Sequence, residues 1–471
     1  MSNAIRANYD RQWLFPPSLE DLVGDNHPAR FIREFVDALD LSSMGFKESK
    51  GDEGRPHYAN DLILKVWLYG YFQNLRSSRG LERGCRENLG LLWLTGMNEP
   101  DHNTLWRFWR DHKKKLRQVF RQAVRIAMKA NLVGMVLHAV DGTKIASAAS
   151  REKAWHRESL EKQLAEVDAS IERMTSEVER SETEEAGDYR LPAELAERQR
   201  LREVIQSSLK ELDQAERDHL AETDTDARMM KMKRGFEFAY NAQAVADDQS
   251  GLVVGAEVVN AENDYHLLIP MLDQVKENLG KVAEQTAADG GYATGAELAQ
   301  AEANEYGVLV KVATVEGDGE FDQTRFSYDQ SQDHCVCPRG EVLKYESRKK
   351  DRAGEEVRVY RCGSYEQCPV RWQCSQNKRG RTVAITAHYA VWNQQREKQK
   401  NPEMAALLKK RSQVIERIFG WIKQNLGFRR WTAFGLENVQ AQWSLLCLTL
   451  NLRTLYRYWA VGKLNFTRAM A

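Results

Sequence analysis

MVLHAVDGTKI, at 135–145, is the stretch on which the reading of the fold turns. Its first six residues are a short apolar run that stops at Asp141-Gly142, which reads as a buried strand followed by a turn. The first 132 residues of the chain follow a different period. Segments 28–39, 60–75, 81–89 and 102–131 carry apolar residues at three-to-four spacing, as helices do. Turn signals at Gly51, Gly54 and Pro56, then at Gly96, Asn98 and Pro100, separate them. Downstream, strands return at 236–246 and 252–260, joined by the hairpin composition Asp247-Asp248-Gln249-Ser250-Gly251. A helix at 266–279, a strand at 284–288 ending in Asp289-Gly290-Gly291, a helix at 295–306 and a strand at 308–312 follow. Strands alternating with helices in this order predict an α/β core with a mixed sheet.

Two stretches interrupt that core. Residues 150–220 are rich in Glu, Arg, Lys, Gln and Leu and break near Gly187 and Pro192, which predicts a helical hairpin. Leu160, Leu164, Val167, Ile171, Met174 and Val178 mark an apolar stripe on its first arm; Leu201, Val204, Leu209 and Leu212 mark one on the second. Residues 314–380 hold acids, glycines and cysteines. The expected organisation is a helical domain at 1–132 and a catalytic core from 133–149, 222–313 and 381–435. The hairpin at 150–221 and a cysteine-bearing insertion at 314–380 split that core, and a closing helix occupies 436–471.

The chain balances 68 basic against 68 acidic residues, so net charge alone suggests no partner. The distribution says more. The hairpin is acidic, whereas 101–130 holds nine Lys/Arg against two Asp and 376–431 holds thirteen against three Glu. A basic body with an acidic appendage suits a nucleic-acid binder, and solvated helix faces are the plainer alternative. No apolar run approaches the roughly 20 residues that span a bilayer, and MSNAIRANYDRQW lacks the order of a secretory signal. The expected setting is cytoplasmic, with no membrane partner. There, five of the seven cysteines, falling between Cys335 and Cys374, read as metal ligands before disulfides.

Asp141 and Asp289 sit at expected strand ends, each followed by glycine, where α/β proteins place their sites. Either Asp-Gly pair alone is more often a turn. A third acid lies in KKRSQVIERIFGWIKQNLGFRRW. Val414, Ile415, Ile418, Phe419 and Ile422 make an apolar face, and Glu416 stands among them, so it is expected near packed surface and not fully solvated. Arg411, Arg417 or Lys423 could neutralise it; a metal shared with the aspartates could do the same.

Four motifs in order resemble the DDE transposases of bacterial insertion sequences: VDGTKI at 140–145, DTDARMMKMKRGFEFAYNAQAVAD at 224–247, ADGGYATGAEL at 288–298 and RSQVIERIFGWIKQNLGFRR at 411–430. GLENVQAQWSLLCLTLNLRTL at 435–455 is similar to the family's closing helix. The resemblance implies an RNase H-like core, with Asp141, Asp289 and Glu416 holding Mg²⁺ or Mn²⁺, two ions being the expectation. It implies cleavage at insertion-sequence ends and transfer of the freed 3′-hydroxyl into target DNA, by a homodimer on paired ends. A large branch of the family also carries Tyr and Arg before the catalytic Glu and Lys after it. Lys423 fits, as a contact to phosphate near the cut; the Arg step falls on Ser412 and the Tyr step on Lys409, with Arg411 one position off. A nuclease that cuts without joining and an inert element-derived DNA-binding protein are the rival readings.

Further DNA contacts are expected from Arg76, Arg79, Arg107, Arg110 and Lys113 in the helical domain, which in the family binds terminal inverted repeats. Arg228, Lys231 and Lys233 precede the aromatic strand Phe236, Phe238, Tyr240; Arg411, Arg429 and Arg430 surround the Glu416 helix. Arg234 belongs to the same run. Cys337, Cys362, Cys368 and Cys374 could form a tetrahedral Zn²⁺ site with Cys335 as a spare, or remain free thiols. Trp421, Trp431 and Trp443 read as core packing, with stacking on a flipped base as the alternative.

Overall fold

The computed structural model describes residues 18–46, 57–150, 154–184, 191–214, 218–233, 235–312, 319–329, 331–351, 354–466 and 469. The expected turn at Gly51, Gly54 and Pro56, the hairpin tip at Gly187 and the basic residue Arg234 lie outside them.

The chain begins with helices α1 (Pro28–Asp37), α2 (Asn60–Phe72), α3 (Ser78–Glu87), α4 (Leu89–Leu94), α5 (His102–His112) and α6 (Leu116–Lys129). The 102–131 segment, expected as one helix, breaks at a 3₁₀ turn over Lys113–Lys115. That turn carries Lys113 and Lys114 to the two carboxylate oxygens of Glu437, at 2.9 and 2.8 Å.

Strand β1 (Leu137–Ala146) follows, and it corrects the expectation at Asp141. The chain does not turn there; the strand runs on for five more residues. Its partner is β5 (Gly235–Asp247), antiparallel along nearly all of β1, with Asp141 opposite Ala244 and Gly142 opposite Gln243. A continuous ladder satisfies backbone groups that a turn would leave to solvent, and it outweighs the local Asp-Gly preference.

Between those partners stands the hairpin of α7 (Arg157–Glu184) and α8 (Leu191–Gln214), closed at its base by the two-stranded ribbon β2 (Ala154–His156) and β3 (His219–Ala221). Leu160, Val167, Ile205 and Leu212 are buried between its arms. Leu201 and Val204, expected on the stripe, are exposed; Ile205 takes their place. Strand β4 (Arg228–Met232) pairs with the first half of β5, and β6 (Val253–Val259) with the second. The Asp247–Gly251 link is the hairpin its composition predicts.

Then come α9 (Leu268–Leu279), β7 (Gln285–Ala288), α10 (Gly295–Ala303) and β8 (Val308–Val310). The main sheet has the order β4-β5-β1-β7-β8, with β6 beside β5. Since β1–β5 is antiparallel and β1–β7 and β7–β8 are parallel, the sheet is mixed, as expected.

Residues 327–386 build a second sheet of β9 (Ser327–Asp329), β10 (His334–Val336), β11 (Val342–Lys350), β12 (Glu356–Cys362) and β13 (Thr382–Thr386), with the short helix α11 (Arg371–Cys374). This insertion has its own core, in which Phe321, Phe326, Leu343, Tyr360, Val383 and Ile385 are buried together. β13 belongs to it by pairing with β12, so the insertion reaches past the expected 380.

Helices α12 (Tyr389–Lys400), α13 (Pro402–Gly420) and α14 (Leu436–Ala460) complete the chain. Met404, Leu407 and Leu408 of α13 pack on Leu137, Ala287 and Leu309. α14 packs against α6 and β6. Its Trp443 and the nearby Trp431 are almost wholly buried, which is the core-packing role; the Trp443 indole also donates to the Gln243 carbonyl at 2.9 Å.

Candidate active site

The parallel pairing of β1 with β7 aligns Leu137 with Gln285, His138 with Thr286 and Ala139 with Ala287. Two residues further along each chain stand Asp141 and Asp289, so the two aspartates occupy equivalent positions on adjacent chains. β7 ends at Ala288 while β1 continues, which leaves Asp289 exposed at the strand end, as the sequence implied. Asp141 is half-buried. Burial pushes its carboxyl above the usual carboxylate range, and Arg411 opposes that push with a 2.8 Å ion pair.

A third carboxylate, not singled out in the sequence, acts on this point. Asp264, from the loop before α9, accepts from the side-chain amides of Asn241 at 2.8 Å and Gln243 at 2.9 Å. Its charge adds to the upward push on Asp141. Gly142 is required here: a Cβ would stand 2.4 Å from the Gln243 amide nitrogen and 2.7 Å from the Asp264 carboxylate. Tyr292, buried three residues past Asp289, donates its hydroxyl to the Gln243 side-chain carbonyl. That hydroxyl is pushed well above its ordinary value by burial first, then by Asp264 and Asp141, with Asp289 adding less. The charges of three acids therefore bear on one buried phenol. The available signal was Asn241 and Gln243, two polar residues on one face of an otherwise apolar strand.

Glu416 is placed differently from the expectation. It is exposed, between the buried pairs Val414/Ile415 and Ile418/Phe419, and makes no hydrogen bond or ion pair with any described residue. Five positions along an α-helix turn a side chain by about 140°, so when Arg411 reaches Asp141, Glu416 emerges on another flank. Of the three cations that could have neutralised it, Arg411 instead pairs with Asp141. Lys423 donates to the Thr143 hydroxyl, which lies on the same face of β1 as Asp141. It sits in a π-helical turn, Trp421–Asn425, and its ammonium is pushed down by burial and by nearby Lys233. It has no acid partner among the described residues. Nor, among those residues, are three or more His, Cys, Asp or Glu side chains gathered closely enough to hold an ion.

The basic residues divide into two groups. Arg76 bonds Asn74 and the Leu426 carbonyl and lies over Phe428; Arg110 pairs with Asp111, Lys113 with Glu437 and Arg430 with Glu237. These brace the protein itself. Arg79, Arg107, Lys231, Lys233 and Arg429 are exposed and form no ion pair with a described residue. Arg228 is half-buried on edge strand β4. No helix among the described residues is long and apolar enough to cross a membrane.

Two family models match the chain: "Transposase domain (DUF772)" over residues 17–111 and "Transposase DDE domain" over residues 336–456. Both matches are to transposase families, one of them of the DDE type, and they support an insertion-sequence DDE transposase. Its role is DNA transposition. In this transposase the first match covers α1 to α5, and the second runs from β10 through Glu416 and Lys423 into α14. Asp141 and Asp289 lie between the two. No curated protein and no solved structure matches the chain.

Proposed function

We propose that this transposase cuts DNA at the ends of its element and joins the freed 3′-hydroxyl to target DNA, using Asp141, Asp289 and Glu416 on an RNase H-like core. The observation that carries the reading is the parallel register of β1 and β7, which gives Asp141 and Asp289 equivalent positions, each two residues beyond the last paired residue. The β1 strand between an antiparallel and a parallel neighbour is consistent with that core.

The donor set suits a hard cation. Two carboxylates about 4 Å apart repel by roughly 4 kcal/mol at an effective dielectric of 20, and Asp264 adds a third negative charge. Asp141 and Asp289 would hold Mg²⁺ or Mn²⁺, all their donors being oxygen, and Glu416 would add a donor from α13. Bound there, such ions supply Lewis-acid stabilisation to the attacking and leaving oxygens.

The remaining roles fall to the protein's own groups. Arg411 holds the Asp141 carboxylate in place before DNA arrives. Lys423, half-buried beside Thr143 and Lys233, offers an ammonium to a phosphate oxygen next to the cut. Lys231, Lys233 and Arg429 follow the strand on either side, while Arg79 and Arg107 take phosphates of the terminal repeat. The acidic α7–α8 hairpin serves as an arm between two copies on paired ends.

The test is a nicking assay on end-sequence DNA with Mg²⁺, followed by capture of a labelled end into plasmid; cutting without capture would select the nuclease reading. In the same assay Lys423→Met is expected to slow cleavage about 10- to 100-fold, the loss of one charge-assisted hydrogen bond. End binding, read by gel shift, should hardly change. Unaltered cleavage by Lys423→Met would remove the phosphate role.

A further inference from the structure

A cleft of about 460 Å³ lies between α2, α3 and α5 on one side and residues 432–442 on the other. Its walls are aromatic. Trp109 lines it and packs on Trp67, their ring centroids 5.1 Å apart, and the Trp67 indole is fixed by donating to the Leu105 carbonyl at 3.3 Å. Nearer solvent stand Trp106, 51% exposed, and Phe434, 47% exposed, one from each wall. Exposed aromatic area gathered at one mouth marks a binding site, where a lone exposed ring would not.

The charged part of the lining is cationic. Arg76, Arg110 and Lys113 contribute to it, and among the described residues none of those lining the cleft is an acid. The Arg110 guanidinium lies over Trp106, 5.2 Å from the ring centroid. At the rim, Arg110 pairs with Asp111, and Lys113 and Lys114 share Glu437. With Arg76 included, the cations there outnumber the carboxylates. Ser77 and Ser78 also bring the start of α3 to the wall. Ser77 caps that helix by accepting the Gly80 N–H at 3.1 Å, and the helix dipole favours an anion at this end.

Both walls are tied to the catalytic elements. Arg76 donates to the Leu426 carbonyl, three residues past Lys423, and lies over Phe428. On the other side, the segment that carries Phe434 leaves the end of β1, where Arg430 bridges Ala146 and the Trp431 N–H donates to the Ala146 carbonyl at 2.8 Å. Ala146 is five residues past Asp141, roughly 17 Å of strand and about the length of five stacked nucleotides.

We propose that this cleft takes one nucleotide of the element's DNA end, swung out of the duplex, its base against Trp106 and Phe434 and its phosphate toward Arg110 and the start of α3. The proposal rests on the reading of the protein as acting at those ends. Flat apolar walls with a cationic rim specify a ligand that is aromatic and anionic at once, and a nucleotide is both. Every base has a face to stack, so the cleft accepts any of the four. Unstacking costs least near a duplex end, and stacking on the protein's own rings offsets it.

The test is binding of full-length protein to end-sequence duplex, read by fluorescence anisotropy without divalent metal so that cleavage plays no part. Trp106→Ala is expected to weaken binding about 5- to 100-fold, and Trp106→Phe, which keeps a ring, much less. Because Trp106 is half in water, both variants should melt within a few degrees of wild type. In a series of duplexes each lacking one base, a single position should abolish the difference between wild type and Trp106→Ala, since the base that stacked is already gone. The same loss on every duplex of the series, or no loss at all, overturns the cleft assignment and leaves end recognition standing. Failure of the wild type to prefer end DNA over unrelated duplex overturns both. Saturable quenching of tryptophan fluorescence by a deoxynucleoside monophosphate, lost in Trp106→Ala while end binding is kept, would give the cleft to a free nucleotide and overturn the DNA assignment.

Discussion

Asp141→Ala is expected to reduce Mg²⁺-dependent end cleavage by at least about a thousand-fold, equivalent to roughly 4 kcal/mol of lost transition-state stabilisation. The substitution removes one of two carboxylates aligned by the β1–β7 register and frees Arg411 from its 2.8 Å partner. A cation then replaces an anion at the point where a divalent ion would bind, so the electrostatic change is larger than deletion of one charge. Folding should suffer little. Burial already disfavours the charged carboxylate, and losing that cost offsets the loss of the ion pair. Asp141→Asn separates charge from shape, since its side-chain oxygen can still accept the Gly142 N–H that Asp141 accepts at 2.9 Å. Both variants should melt within a few degrees of wild type and fail together in the nicking assay. Near-wild-type cleavage by either would exclude Asp141 from the reaction.

The second large effect concerns stability. Asp224 is 2% exposed and sits where the chain returns from the hairpin. It accepts from the Ser147 hydroxyl at the end of β1, the Tyr240 hydroxyl of β5 and the Gly435 N–H that opens α14, the last at 2.9 Å. Asp226 adds a bond from the Leu436 N–H at 2.8 Å, so two carboxylates meet the positive end of a 25-residue helix. Asp224→Ala would strand three donors from three elements, those of Ser147 and Tyr240 buried, a loss of about 3–5 kcal/mol. Asp224→Asn keeps an acceptor but not the charge and should cost about 1–3 kcal/mol. Urea unfolding measures both. A midpoint unchanged in Asp224→Ala would mean that this junction does not hold the sheet to α14.

The contrast between these residues explains what could be read from the chain beforehand. Asp289 was legible because β7 is short, apolar and stopped by two glycines, all local facts. The local setting of Asp141 was read as a strand end, which it is not. Asp-Gly promised a turn, while the β5 ladder, formed with residues about a hundred positions away, carried the strand straight through. The alignment of Asp141 with Asp289 depends on which strands become neighbours, and no spacing in the chain records that. Asp264 lies in a loop without periodicity, and its meaning comes from Asn241 and Gln243 reaching it across the sheet. On α13 the apolar face of Val414, Ile415, Ile418 and Phe419 was read correctly, yet Glu416 is exposed because a helix position between two buried pairs can still point outward. Lys423 followed from its step after Glu416, whereas its π turn depends on how Trp421 to Leu426 pack. Among the basic residues, composition did not distinguish Arg430, bonded to Glu237, from Arg429 beside it, which is free of any described acid.

The α13 helix also sets what remains to be measured. Asp141 and Asp289 occupy equivalent positions on neighbouring strands, and Glu416 must come to them for three acids to share ions. Anomalous diffraction from crystals of the transposase grown with cleaved end DNA and Mn²⁺ tests this directly. The account predicts manganese peaks between Asp141 and Asp289, with a Glu416 oxygen at about 2.0–2.2 Å from one of them. Manganese bound with Glu416 still on the outer flank of α13, or no manganese at the two aspartates, would contradict it.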